Sequence, residues 1–453
     1  MSKFYLTTSI AYVNAPPHLG FALELIQADV LARFRRQKGD EVFFLAGTDE
    51  HGAKIVKAAE AAGKTPRALA DENAAKFQAL KELLNLSWDD FIRTSDQKRH
   101  WPQAIGLWRR IAAAGDIYKK NYQGLYCVGH EAFVTEKDLV YGKCRDHEQA
   151  PEIIEEENYF FRLSRYAPAV AEEIVNNRLK IIPESRASEV LNFIKQGMED
   201  ISFSRPRKDL VWGIPVPGDD SQTIYVWVDA LANYLYPQGL WPADVHLIGK
   251  DILRFHALYW PAMLLSAGLP LPKSIFVHGH ITVESQKMSK SLGNVIDPAE
   301  LVKKYGAEAV RYYLLREIPA AEDGDFSYHR FEERYNADLA DGLGNFNARV
   351  TALAKNGGQI SDARNKQAAE IIKETIIKVS RKIEAFKFHE ALAAIWNLIA
   401  FGDRLVNEKQ AWKNRECLPD LLAILQTTKK LIAPFLPATA EKTGQERILF
   451  PKK

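Results

Sequence analysis

Two short strings carry the residues best suited to phosphate chemistry. His18-Leu19-Gly20 comes just before a helical pattern, and a helix N-terminus offers unpaired N–H groups and partial positive charge to an anion. Gly20 lets a nucleotide approach the backbone closely. His18 can donate to phosphate oxygens as charge builds during attack on an α-phosphate. Far along the chain, Lys287-Met288-Ser289-Lys290-Ser291 precedes Gly293. It puts two ammonium groups on a Gly/Ser loop that can close on pyrophosphate. Alone, the histidine reads as a loop cap and the lysines as a solvated turn. Together they point to nucleotide handling.

Two further clips have metal-ligand spacing. Cys127-Val-Gly-His130 and Cys144-Arg-Asp-His147 form C-x2-H-x13-C-x2-H, which supplies four ligands for a closed, tetrahedral, structural zinc site. The rival reading is two buried thiols and two surface histidines. Cys417, alone in its region, reads as a buried inert thiol.

The elements that must position these strings follow from periodicity. Residues 4–10 are β-prone, and Pro16-Pro17 forbids helix at once. Apolar residues from Phe21 to Lys38 recur at helical spacing until Gly39. Val42–Ala46 reads as a buried strand ending at Gly47, and helix resumes after Gly52. Strand–helix–strand–helix is the mark of a parallel α/β sheet. Residues 118–208 break the order with short strands and turns. Ile224–Val228, His246–Gly249 and Ser274–His278 read as strands again. From about 335 a helical bundle is expected.

The fold class is therefore α/β: a doubly wound parallel, Rossmann-type sheet split by an insertion and followed by an all-α bundle. The expected division is 1–117 and 209–275 for the two halves of the sheet and 118–208 for the insertion with the metal knuckle. Residues 276–334 carry the lysine motif, and 335–453 form the helical bundle.

On these strings the chain resembles the class I aminoacyl-tRNA synthetases, and others narrow the likeness to the methionyl-tRNA synthetase family, in its single-knuckle bacterial-type branch. They are Gly47-Thr48-Asp49-Glu50-His51-Gly52, Val226-Trp227-Val228-Asp229-Ala230-Leu231 with Tyr234, and Gly249-Lys250-Asp251-Ile252-Leu253-Arg254-Phe255-His256. The resemblance implies methionine activation by ATP with Mg²⁺, then transfer to tRNA-Met, initiator and elongator. It implies that His18, Lys287 and Lys290 carry the catalysis, and that His18, Gly20, Asp251, Lys287, Ser289 and Lys290 hold ATP, Asp251 near the ribose. It puts Asp49 on the α-ammonium. Ile10, Tyr12, Trp227, Ala230, Leu231, Tyr234, Ile252, Phe255 and His256 join it in the methionine pocket, where rings suit a polarizable thioether. Asn345, Arg349 and Trp412 would read the anticodon loop, by stacking and hydrogen bonding to unpaired bases.

Three departures stand out. The family usually has histidine where this chain has Phe21, a third cysteine where it has His130, and proline where it has Ala411. Phe21 motivates an alternative, a tRNA-binding homologue with reduced or lost catalysis.

Composition limits the remaining classes. At 453 residues roughly two to four domains are expected. A net charge of +2 excludes a uniformly basic nucleic-acid coat, so any RNA surface must be a local patch. Three cysteines exclude a disulfide scaffold and suit a reducing compartment. No run approaches the roughly 18 apolar residues of a membrane span, and Met1–Val13 resembles neither a signal nor a transit peptide. A cytoplasmic location follows, with no membrane partner. With no appended module after residue 453, a monomer is expected.

Overall fold

The computed structural model describes residues 2–129, 132–134, 136, 139–144, 149–237, 239–288, 293–355 and 365–453. Strand β1 (Lys3–Thr8) and the short β2 (Ala11–Tyr12) precede the double proline, and helix α1 (Leu19–Gln37) begins directly after His18. Apolar spacing buries most of α1, including Leu23, Ile26, Val30 and Leu31, while Arg35 and Arg36 in its last turn favour the negative end of the helix dipole. Strand β3 (Glu41–Asp49) runs past Gly47 as far as Asp49. Helices α2 (Ala53–Ala61) and α3 (Pro66–Leu83) lead to β4 (Asp90–Arg93) and α4 (Trp101–Ala113).

An antiparallel layer follows. It contains β5 (Ile117–Cys127), β6 (Ala132–Val134), a hairpin of β7 (Leu139–Val140) with β8 (Lys143–Cys144), and β9 (Glu152–Phe161). Helix α5 (Leu163–Val175), β10 (Lys180–Ile182) and α6 (Glu184–Lys195) then intervene before β11 (Ile201–Ser202). The sheet order is β11-β9-β5-β6. A small sheet of β12 (Ser204–Pro206), β13 (Pro215–Val216) and β14 (Asp219–Ile224) returns the chain to helix α7 (Val226–Leu231). Strand β15 (Val245–Gly249), helix α8 (Trp260–Ser266) and strand β16 (Ser274–His278) complete the core.

The central sheet has seven strands in the order β10-β16-β15-β1-β3-β2, with β4 also on β3, and its pairings are parallel. Two details differ from the sequence expectation. Ile224–Val228 is not one strand: β14 stops at Ile224 and the chain turns into α7, because a short, wholly apolar run satisfies strand and helix alike. Strand β10, inside the stretch read as insertion, pairs with β16 at the sheet edge.

Beyond β16, strands β17 (Ile281–Val283), β18 (Gln286–Lys287) and β19 (Gly324–Phe326) form a small sheet. Helices α9 (Pro298–Tyr305), α10 (Ala307–Glu317) and α11 (Tyr328–Arg334) belong to the same region. A π-helical turn, Tyr335–Gly344, opens the bundle of α12 (Asn345–Lys355), α13 (Lys366–Glu384), α14 (Phe388–Glu408), α15 (Leu418–Ile432) and α16 (Pro437–Lys442).

One buried cluster runs from Leu25 and Ile26 of α1 through Tyr312 of α10 to Val379, Ile395 and Ile424 of the bundle. Its polar hub is Arg311, fully buried. Arg311 pairs with Asp29 of α1 at 2.7 Å and donates to the carbonyls of Phe435 (2.7 Å), Pro434 (3.1 Å) and Leu84 (3.1 Å). Sheet and bundle thus share one core, with Arg311 of α10 joining α1 to the carbonyls that precede α16. Among the described residues no helix is long and apolar enough to cross a membrane.

Candidate active site

Parallel strands send their carboxyl ends to one edge, where ligands of open α/β sheets bind. Asp49 ends β3, Gly249 ends β15 and His278 ends β16, all opposite the start of α1. His18 does cap that helix: Gly20 N–H donates to its Nδ1 at 3.1 Å. Capping and phosphate binding are compatible, because an acceptor Nδ1 leaves the proton on Nε2, free to donate. Water reaches the ring, yet the protein crowded around it lowers its pKa; Asp251 opposes this and His280 adds to it. His18 is therefore a neutral donor near pH 7.

The lysine motif meets the same helix. A methyl built on Gly20 would lie 3.0 Å from His18 Cε1 and 3.8 Å from Met288 Cε, so Met288 overhangs the first turn and only glycine leaves the ring in place. Leu19 N–H also donates to the Ile296 carbonyl at 3.2 Å. Lys287 sits in β18 opposite Thr282 of β17; Ser289 and Lys290 lie outside the described residues.

Asp251 follows β15 and stands at the rim. The surrounding protein disfavours its charge, but His280, 3.4 Å away, brings its pKa down to about 2. One turn into α1, Glu24 is buried and accepts from Ser9 Oγ at 2.6 Å and from His278 Nε2 at 2.8 Å. Burial opposes protonation of His278, yet Glu24 raises its pKa on balance.

The aromatic residues converge behind Asp49. Tyr12 pairs in register with Asp49 across β2 and β3. Trp227 of α7 stacks on Phe255 with centroids 3.7 Å apart and planes 5° from parallel. Tyr234 and His256 are buried and hydrogen-bonded at 2.8 Å, and His256 Nδ1 lies 3.0 Å from the Ile252 carbonyl. Burial lowers His256 to about 4 and raises Tyr234 well above its usual value. Both are neutral at pH 7. The ring then donates from Nδ1 to Ile252 and accepts the Tyr234 hydroxyl proton at Nε2. Ala230 and Leu231 are buried in α7, and Ile10 is half-buried near Gly47, where an added Cβ would meet Ile10 Cγ2 at 2.9 Å. The result is an uncharged, aromatic lining beside one carboxylate.

What fixes Asp49 against α7 was missed in the sequence. Its neighbour His51 donates from Nδ1 to Asp229 Oδ2 at 2.6 Å, and His100 donates from Nε2 to Oδ1 at 2.6 Å, all three buried. Burial alone would raise Asp229, but the two imidazoles bring it to about 2. Glu50, fully buried, takes a two-pronged bond from Arg93 at 2.6 and 2.9 Å, with Thr48 Oγ1 at 2.8 Å. Asp229 and His51 lay within the quoted strings but carried no assigned role; His100 had no sequence signal.

The comparisons with known proteins agree with this geometry. Residues 4–150 and 136–351 match the family described as tRNA synthetases class I (M). The chain belongs to that family. It is similar to methionine--tRNA ligase of Brucella suis, 43% identical over 97% of this chain and 90% of the relative. It is also similar to methionine--tRNA ligase of Clostridium perfringens, 43% identical over 98% and 73%. Among solved structures, Mycobacterium tuberculosis methionyl-tRNA synthetase in complex with methionyl-adenylate superposes with a TM-score of 0.92 at 40% identity, over 98% of this chain and 93% of that one. As a class I tRNA synthetase (M), the chain has the expected parallel sheet with flanking helices and a helical C-terminal region.

The other candidate residues fall in two places. Cys127 at the end of β5 and Cys144 in β8 are both buried and share one small cluster with Val134. His130 and His147 lie outside the described residues. In the bundle, Asn345 is exposed at the start of α12 and Trp412 is 56% exposed. Arg349 is half-buried, donating to Asp403 at 3.0 Å and Asn407 at 2.5 Å.

Proposed function

We propose that this chain activates L-methionine with ATP and esterifies it to tRNA-Met in the cytoplasm. The observation that carries the reading is the neutral aromatic lining of Tyr234, His256, Trp227 and Phe255 set between Asp49 and the His18–Gly20 helix start. Asp49 holds the α-ammonium, and the thioether lies among the rings, where sulfur–aromatic contact is favourable. The methionine carboxylate oxygen bonds to the ATP α-phosphorus while the bond to the β-phosphate oxygen breaks and pyrophosphate leaves with the electron pair. His18 Nε2–H, the N-terminal amides of α1 and the ammonium groups of Lys287 and Lys290 stabilise the charge on the phosphates. Mg²⁺, arriving with ATP, neutralises part of that charge. The terminal ribose hydroxyl of tRNA then attacks the adenylate carbonyl, an ester forms and AMP departs. Positioning and charge stabilisation suffice, without a covalent enzyme intermediate.

Asn345, Arg349 and Trp412 form the anticodon contact: an exposed amide, a planar cation braced by Asp403 and Asn407, and an open ring. Cys127 and Cys144, buried in one small cluster, would hold a structural zinc together with His130 and His147. Charging of tRNA tests the function. Incubation with ATP and methionine should yield methionyl ester at the tRNA 3′ end, and an uncharged tRNA after such incubation would reject the reading.

A further inference from the structure

Phe21 sits in the first turn of α1, where the nearest phosphate-facing side chain is His18. Its ring does not serve the sheet edge: it packs edge-to-face on Phe77 of α3, centroids 5.0 Å apart, as part of the apolar core. The helix therefore presents one imidazole. A second imidazole stands at the same sheet edge on another element, beside Asp251. His280 follows β16, and its position is fixed through the backbone: its N–H donates to Asp323 at 2.8 Å and its carbonyl accepts from Gly324 at 2.9 Å. Asp323 is itself held by Lys250 at 2.6 and 2.7 Å. The adjoining Gly279 packs so closely that a Cβ there would lie 2.1 Å from the Glu322 carbonyl. A firmly held backbone thus carries a ring that is left accessible, its side chain 37% exposed. Among the described residues the ring's hydrogen bond is a long one, 3.4 Å from Nε2 to Asp251, loose enough to exchange for a better acceptor. The end of β16 is tied to α1 by the 2.8 Å bond between His278 and Glu24, so the turn bearing His280 stands at the same sheet edge as the start of that helix.

We propose that His280 is an ATP-binding residue whose Nε2–H donates to the triphosphate beside His18, replacing the second imidazole that position 21 lacks. The inference rests on the reading that His18 and Asp251 face ATP. When ribose hydroxyls occupy the Asp251 carboxylate, the His280 ring is released toward the phosphates. The two imidazoles then approach the α-phosphate from two elements, helix α1 and the turn after β16.

The test is methionine-dependent ATP–pyrophosphate exchange by the full chain and its H280A, H280Q, F21H and F21H/H280A variants, with melting temperatures as a check on folding. No exchange by the unaltered chain would reject the parent reading, and the proposal with it. With exchange present, H280A should lower kcat/KM for ATP about a hundredfold or more, as loss of one oriented donor does, with the methionine KM within about twofold. H280Q, whose amide N–H can replace Nε2–H, should recover most of the loss if it melts like the unaltered chain. F21H should restore roughly tenfold in the H280A background and give under about threefold alone, since the two imidazoles fill one role. Unchanged ATP kinetics in H280A would overturn the proposal. So would an F21H effect of equal size in both backgrounds.

Discussion

Replacing Asp229 by asparagine should loosen both the fold and the methionine pocket. The carboxylate is 1% exposed and accepts one imidazole N–H on each oxygen at 2.6 Å. Its pKa falls from an ordinary 3.8 to about 2 although burial pushes the other way; at about 1.4 kcal/mol per tenfold in proton affinity, that is roughly 2 kcal/mol of stabilisation. Asparagine keeps one acceptor but turns an NH₂ toward the second ring. His100 can adapt by moving its proton to Nδ1, which has no hydrogen-bond partner, and that buried N–H then costs about 1–3 kcal/mol. The total is about 2–4 kcal/mol. Because the folded pKa is depressed, the contribution is present above about pH 4 and is lost as pH falls toward 2. Urea unfolding should show the gap between the two proteins at about pH 5, narrowing below about 4. The clamp joins the Asp49 strand to the helix bearing Trp227, Ala230 and Leu231. Methionine KM should therefore rise several-fold while ATP KM stays within twofold. A gap under about 0.5 kcal/mol at pH 7, typical of an indifferent site, or one unchanged at pH 3.5, would refute the reasoning.

Three other perturbations probe separate parts. Arg311→Met removes a fully buried cation from Asp29 and three carbonyls. Asp29 keeps Arg33 and Ser87 as partners, so the cost is that of buried carbonyls losing their donor, about 1–3 kcal/mol, to be read by urea unfolding; a loss under about 0.5 kcal/mol would contradict the hub. Trp412→Ala should leave stability and pyrophosphate exchange nearly unchanged, since the ring is 56% exposed, yet lower kcat/KM for tRNA about tenfold through lost stacking; equal charging efficiency would remove Trp412 from the anticodon contact. Purified protein should contain one zinc per chain by plasma mass spectrometry, lost in Cys127→Ser; a folded, metal-free chain would dismiss the knuckle.

Much of this was readable where chemistry and periodicity coincide. Helix α1 declared itself through apolar spacing and the His18-Leu19-Gly20 start, and β3 through a buried run ending at Gly47, though the strand continues to Asp49. Helix α7 reads as strand in the sequence because Val226-Trp227-Val228 is apolar throughout and so carries no period. Strand β10 is three residues long, too short to stand out among its neighbours. The contacts that hold the site are long-range: His51, His100 and Asp229 meet from three elements, as do Asp29 and Arg311. Spacing along a chain cannot announce such pairs. Phe21 was legible as a departure, but its seat on Phe77 and the approach of His280 needed the fold.

The most direct test of the central claim is ATP–pyrophosphate exchange with each of the standard amino acids in turn. The account predicts exchange with methionine, with a shorter thiol analogue such as homocysteine weaker by roughly 10–200-fold, the discrimination that one missing methylene allows. No exchange with methionine, or faster exchange with another standard amino acid, would contradict it.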